Sequence, residues 1–194
     1  MKKRLLFVIS TFSFSILLHA QWEAGIGAGI ALPITGYKEV LKSGWLLSGK
    51  GQYRLGKGNF AVGAIVHFTR LQKDNNPNDT FQNARMTIAP VLFTTEYAFM
   101  VKGKIQPYVT GGLGISFFNL NYDISPVEGR TVSNVSFTMM PLVGIRYEAS
   151  PRIYPFIESG WVLIADGPPM GFPKSGQLTG YNSILAGVHY KFGK

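Results

Sequence analysis

The 194-residue chain has no cysteine, so disulfides, thiolate metal sites, a cysteine nucleophile and a lipid-anchored N-terminal cysteine are all excluded. Charge is scarce, at 15% of residues, and acidic residues are the scarcer sign, with 10 Asp+Glu against 19 Lys+Arg. Only three histidines are present, one of them in the first twenty residues, which leaves too few for a histidine-based metal site. After residue 20 no apolar run is long enough to cross a bilayer as a helix. No basic stretch is interleaved with aromatics in the way nucleic-acid binding demands. The chain is nevertheless too apolar for disorder, with 46% hydrophobic residues, 13% aromatics and 23 glycines.

The first twenty residues read as a secretory signal peptide. Met1-Lys2-Lys3-Arg4 forms a basic start, Leu5 to Leu18 an apolar core, and Leu18-His19-Ala20 a small-residue cleavage site. The expected division is therefore a signal peptide over 1–20 and one domain over 21–194. Removing the leader leaves 16 basic against 10 acidic residues.

Beyond residue 20 the chain alternates with period two, the signature of strands with unlike faces. Trp45, Leu47, Gly49, Gly51, Tyr53 and Leu55 share one face, opposite Leu46, Ser48, Lys50, Gln52 and Arg54. Eight such runs are predicted, over 21–32, 43–55, 59–71, 84–98, 105–118, 136–148, 153–164 and 181–192. The connections alternate between short (56–58, 99–104, 149–152) and long (33–42, 72–83, 119–135, 165–180). An even strand count with short turns at one end and long loops at the other is the pattern of a transmembrane β-barrel, both termini lying at the periplasmic, short-turn end. The fold class expected is all-β: a closed antiparallel transmembrane barrel of eight strands.

The strand from 84 to 98 is ambiguous in its facing. Met86-Ile88 and Val91-Phe93 imply opposite lipid faces, which a bulge near Pro90 would reconcile, because proline cannot donate to the ladder. An internal repeat is clearer. Lys104-Ile105-Gln106-Pro107-Tyr108-Val109 returns as Arg152-Ile153-Tyr154-Pro155-Phe156-Ile157, so a hairpin is the repeating unit.

Backbone groups in hydrocarbon must be paired internally, so the sheet must close, with one face toward lipid and the other filling the interior. Trp22, Tyr53, Phe60, Tyr97, Tyr147, Tyr190 and Phe192 fall near strand ends on the short-turn side and are expected to form a periplasmic aromatic girdle. The alternation places Glu23, Lys50, Arg54, His67, Glu96, Arg146, Glu148, Glu158, His189 and Lys191 in the interior. Eight strands leave a lumen that side chains can fill, so these residues are expected to pair into a structural polar network. Glycines at 25, 27, 29, 63, 112, 114, 160 and 187 would make room for large interior neighbours such as Tyr108 and Phe156.

The last run, Gly187-Val188-His189-Tyr190-Lys191-Phe192, resembles the C-terminal assembly signal of outer-membrane barrels, with Gly187, Tyr190 and Phe192 in the signal positions. Two residues follow the final aromatic here, and Leu185 stands where a polar residue is common. Together with the proline-aromatic strands and Gly25-Ile26-Gly27-Ala28-Gly29, the chain resembles the outer membrane protein beta-barrel domain family, the OmpA/OmpX-like group with the porin-family and PorT-like proteins of Bacteroidetes. The resemblance implies an outer-membrane location, insertion by the barrel assembly machinery, and contact with outer-membrane lipid and lipopolysaccharide. A PorT-like role as a secretion accessory follows from the resemblance alone. No separate peptidoglycan-binding domain is expected after residue 192.

Chemistry is thinly represented. Gly25 to Gly29 lacks the register of a dinucleotide loop and reads as a small-residue strand. A lipid A-modifying barrel enzyme would need histidine and serine two apart, but His67 is followed by Phe68-Thr69 and His189 by Tyr190-Lys191. The residues therefore give no catalytic, cofactor or metal set, and the reading is non-enzymatic. The expected role is a structural or surface-interaction barrel, its long-loop partner unnamed, with a narrow pore for small solutes as the alternative.

Overall fold

A computed structural model describes residues 21–34, 38, 41–55, 59–73, 81–99, 103–124, 127–165 and 179–192, with side chains for all of these but 81–83 and 122–130. The leader over 1–20 and the tail Gly193-Lys194 lie outside the described residues. Eight strands follow in chain order: β1 (Gln21–Ile34), β2 (Gly44–Arg54), β3 (Phe60–Gln72), β4 (Phe81–Ala98), β5 (Ile105–Ile124), β6 (Val127–Tyr147), β7 (Ile153–Ile164) and β8 (Thr179–Phe192). Each pairs antiparallel with the next and β8 returns to β1, so the sheet is a closed barrel of neighbouring hairpins. Among the described residues no helix is long and apolar enough to cross a membrane.

The register fixes the shape. From Ala24 the ladder runs through Gly51, Ala64, Phe93, Leu113, Met139, Leu163 and Gly180, and re-enters β1 at Ile34, ten residues from its start. That stagger tilts the strands by about 35–45° to the axis and, with eight strands, leaves an interior that side chains fill.

The outer surface is apolar. Ile26, Phe93, Leu113, Phe137, Ile157 and Trp161 are among the large hydrophobics turned outward. In water such a surface would be an aggregation liability; in a bilayer it is the lipid-facing band. On β5 and β6 the outward residues change from apolar (Phe117, Val135) to polar (Asn119, Ser133), which marks the upper edge of that band.

Two expectations are corrected. The facing of β4 is uniform: Ala84, Met86, Ile88, Leu92, Thr94 and Glu96 all turn inward, and no register shift occurs at Pro90. The shift lies instead between Gln82 and Arg85. Pro90 leaves the ladder to β3 open between Val66↔Val91 and Thr69↔Ile88, with the register continuing unchanged on the far side. The missing N–H thus removes a rung without displacing the strand. The second correction concerns 119–135, expected as a loop. Nearly all of it belongs to a hairpin in which β5 and β6 reach 20 and 21 residues. Its outward side chains are polar but still alternate, and they bond across the strands: Asn119 Nδ2 donates to Ser133 Oγ at 3.3 Å and Thr131 Oγ1 to Asn121 Oδ1 at 2.6 Å.

Candidate functional site in the barrel interior

The short-turn half of the lumen holds an ion-pair network drawn from β1, β2 and β4 to β7. Glu96 on β4 is the hub. Lys50 Nζ donates to its Oε2 at 2.6 Å; Arg146 Nη1 and Arg54 Nη2 donate to its Oε1 at 2.9 and 3.1 Å. Glu23 on β1 accepts from Arg54 Nε and Nη2 at 2.9 and 3.1 Å, and from the Gln52 amide. Arg146 Nη1 stands 3.6 Å from Glu23, while its Nε donates to Gln106 Oε1 at 2.7 Å. Tyr108 Oη donates to Glu158 Oε2 at 2.7 Å, and its ring lies 5.2 Å from Lys50 Nζ and 5.3 Å from the Arg146 guanidinium. Three cations (Lys50, Arg54, Arg146) thus meet two carboxylates (Glu23, Glu96), and the third carboxyl group, Glu158, is held by the Tyr108 hydroxyl. Buried charges persist only when paired in this way.

Glycines admit the large neighbours. A Cβ on Gly144 would sit 2.3 Å from the Tyr108 ring, so Tyr108 is accommodated by a glycine outside the expected set. Gly27 and Gly187 face the Phe156 ring, and Gly25 faces His189. At Gly29, Gly63, Gly114 and Gly160 a Cβ would meet the neighbouring strand's backbone instead, so these four serve close strand approach.

The other predicted interior residues divide. His67 and His189 are buried, the latter with its ring centroid 4.3 Å from that of Phe156. Lys191 lies at the lumen mouth, half-buried. Glu148 is a correction: it falls one residue past the end of β6, where the chain leaves the barrel wall, and it is exposed. Among the described residues no group of three or more His, Asp or Glu stands close enough to hold a metal ion.

Sequence reasoning missed the other half of the lumen. Toward the long loops the interior is apolar, filled by Leu46, Leu71, Met86, Met140, Ile164 and Leu185, each at most 2% exposed. Two hydroxyl pairs lie in it, Thr69 Oγ1 donating to Tyr181 Oη at 3.0 Å and Thr138 Oγ1 to Ser116 Oγ at 2.6 Å, while the buried His67 ring nitrogens and Thr179 Oγ1 have no hydrogen-bond partner among the described residues. The signal was present in runs apolar on both faces, Leu46-Leu47 and Val162-Leu163-Ile164, which a lipid-or-lumen alternation leaves unexplained. The lumen is therefore not polar throughout; it is charged below and apolar above.

The seven expected girdle aromatics all turn outward at the short-turn end, six of them in contacting pairs. Trp22–Tyr53, Phe60–Tyr97 and Tyr190–Phe192 have ring centroids 5.2, 5.1 and 4.9 Å apart, and Phe99 joins Tyr97 at 5.2 Å. Tyr147 completes the ring on β6.

A closed eight-stranded barrel with an apolar belt, a girdle and a filled lumen narrows the family to outer-membrane barrels. The model of the outer membrane protein beta-barrel domain matches residues 6–192. The chain belongs to that family. Its members' location, the bacterial outer membrane, is this protein's as well. Solved outer-membrane barrels share the fold at low identity. Neisserial surface protein A superposes with a TM-score of 0.58 at 16% identity, covering 89% of this chain and 99% of that one. A major outer membrane protein from Thermus thermophilus gives 0.57 at 13%, covering 89% and 99%. Ail, the attachment invasion locus protein of Yersinia pestis, gives 0.53 at 12%, covering 90% and 99%. No curated protein sequence matches the chain.

Proposed function

We propose that this outer membrane beta-barrel protein is a sealed scaffold that presents a raised sheet at the cell surface. The observation that carries this reading is the unequal height of the wall. β4, β5 and β6 have 18, 20 and 21 residues, against 11–14 in the other strands. Among the described residues β6 pairs with β7 from Thr138↔Ile164, and the Phe137 carbonyl accepts from Ala165 N–H at 3.0 Å, so the β6 segment from Val127 to Ser136 extends beyond the end of β7. Above Phe117 and Val135 the hairpin leaves the apolar band and carries a polar outer face of Asn119, Asn121, Thr131 and Ser133. Below it the lumen is stoppered twice, which disfavours a pore. Lys42 and Arg85, exposed at the same end, suit contact with the phosphates of lipopolysaccharide. The family resemblance supports insertion by the barrel assembly machinery. Ail, a structural neighbour, is named for attachment and has been solved with the heparin analogue sucrose octasulfate.

The lipid-modifying reading loses its candidate base, because His67 faces the lumen and is fully buried from the membrane. The test replaces 119–133 by a short turn and compares cells displaying either form for adherence to immobilised heparin and to each other. Reduced adherence, with heat-modifiable gel mobility unchanged, supports the proposal; equal adherence overturns it. In planar bilayers the intact protein is expected to be silent, and stable charge-selective steps would favour the pore.

A further inference from the structure

The internal repeat places two equivalent cations and two equivalent prolines on either side of β6, and together they frame a groove on the lipid-facing wall. The groove has a volume of about 780 Å³, within the roughly 300–1,000 Å³ range of pockets that take a drug-sized ligand. Val143, Ile145 and Tyr147 of β6 line its floor, with Ile105 and Val109 of β5 on one side and Ile157 of β7 on the other. The register explains the depression. Pro107 lies opposite Ile145, and Pro155 follows directly before the last β6–β7 rung, Arg146↔Phe156. Both prolines fall on the outward parity of their strands, so a compact ring stands where a long side chain would otherwise fill the wall.

The groove is almost wholly apolar along its length and changes character at one end. Phe99 and Tyr147 mark that end as the head-group level of the periplasmic leaflet. Just beyond it stand Lys104 and Arg152, exposed, each one residue ahead of its strand. Their backbones are fixed: the Lys104 carbonyl accepts from Glu148 N–H at 2.8 Å and the Arg152 carbonyl from Lys191 N–H at 2.9 Å. Glu148 lies between them as the acid of this rim, so cations remain in excess.

We propose that this groove is a binding site for one anionic glycerophospholipid of the periplasmic leaflet. An acyl chain lies along β6 between the two prolines, and the phosphate sits at the rim between Lys104 and Arg152. The depth of the cations relative to the groove favours this occupant. A second copy of the barrel would press on the apolar walls without engaging the basic rim. Lipopolysaccharide belongs to the opposite leaflet.

The test uses the protein purified from outer membranes and exchanged into nanodiscs of equal parts phosphatidylethanolamine and phosphatidylglycerol, with retained lipid read by native mass spectrometry. One phosphatidylglycerol per barrel is expected, enriched about tenfold over phosphatidylethanolamine, from two basic groups acting near a membrane surface. Lys104→Glu with Arg152→Glu should abolish the enrichment while gel mobility stays native. Val143→Trp, a lipid-facing change that fills the groove, should lower retention of both lipids. Equal retention of the two lipids by the native protein, enrichment unchanged in the charge-reversed variant, or lipopolysaccharide as the retained species would each overturn the site.

Discussion

The two halves of the lumen solve one packing problem by opposite chemistry. The half near the short turns is held by charge: Glu96 collects Lys50, Arg54 and Arg146, Glu23 shares Arg54 and Arg146, and the Tyr108 hydroxyl holds Glu158. The half toward the loops is held by apolar contact, its polar groups scattered as hydroxyl pairs such as Thr69–Tyr181 and as the buried His67 and Thr179 side chains. In a soluble protein a buried ion-pair network is weak evidence of stability, because desolvation offsets attraction. In a barrel the interior side chains sit between a wall and each other, so directional partners also fix which strands are neighbours. Glu96 and Lys50 are 46 residues apart, and Glu96 and Arg146 are 50 apart. The contrast therefore predicts that the charged half is sensitive to loss of one partner, whereas the apolar half is sensitive to loss of volume.

The largest effect should come from Glu96→Leu. It leaves Lys50 without its carboxylate and takes one acceptor each from Arg54 and Arg146, and breaking a buried pair from one side costs about 3–5 kcal/mol. Urea unfolding of the vesicle-inserted protein, followed by tryptophan fluorescence, measures it. If the midpoint hardly moves, water rather than Glu96 balances the cations and the hub description fails. In the other half, Met140→Ala removes a fully buried side chain without stranding any polar group. The expected cost is about 2–4 kcal/mol, set by how far the cavity collapses. Pairing it with Glu96→Leu sharpens the comparison. If the halves are independent their effects add to within about 0.5 kcal/mol, and a larger departure would show that the two layers act as one core.

The barrel was legible in the sequence because lipid and lumen impose opposite demands on successive residues. Trp45 to Leu55 alternates so cleanly that its facing needed no further information. The facing of β4 was harder, because Met86 and Ile88 look like lipid-facing residues when the lumen is assumed polar. Their inward position is intelligible only once the apolar upper layer is known, and that layer depends on neighbours such as Leu71 and Met140 from other strands. The rise of β5 and β6 above the band was hidden for a related reason: Asn119 and Ser133 are polar on the outward face, so the apolar signal ends before the strand does. Glu148 erred the other way, because parity continued past Tyr147 after the wall had ended. The network's partners were not legible at all. Which carboxylate meets which cation follows from the stagger of eight ladders, and composition gives only the balance of signs.

The smallest expected effects test the comparison most directly, because the same atom is removed from each half. Tyr181→Phe in the apolar layer deletes a hydroxyl that accepts from another hydroxyl, that of Thr69 at 3.0 Å. Net loss of a neutral hydrogen bond is worth about 1 kcal/mol, and Thr69 can turn its own donor elsewhere. Tyr108→Phe in the charged layer deletes the donor that holds Glu158 at 2.7 Å while leaving the ring beside Lys50 and Arg146 in place. A buried acceptor left unmatched raises the expected loss to about 2 kcal/mol. The measurement is the difference between the two urea midpoints under identical lipid conditions. A clearly greater loss for Tyr108→Phe means that directional bonding carries the lower half. Equal losses would mean that both layers are held by packing and that the charges matter chiefly for choosing strand neighbours during assembly.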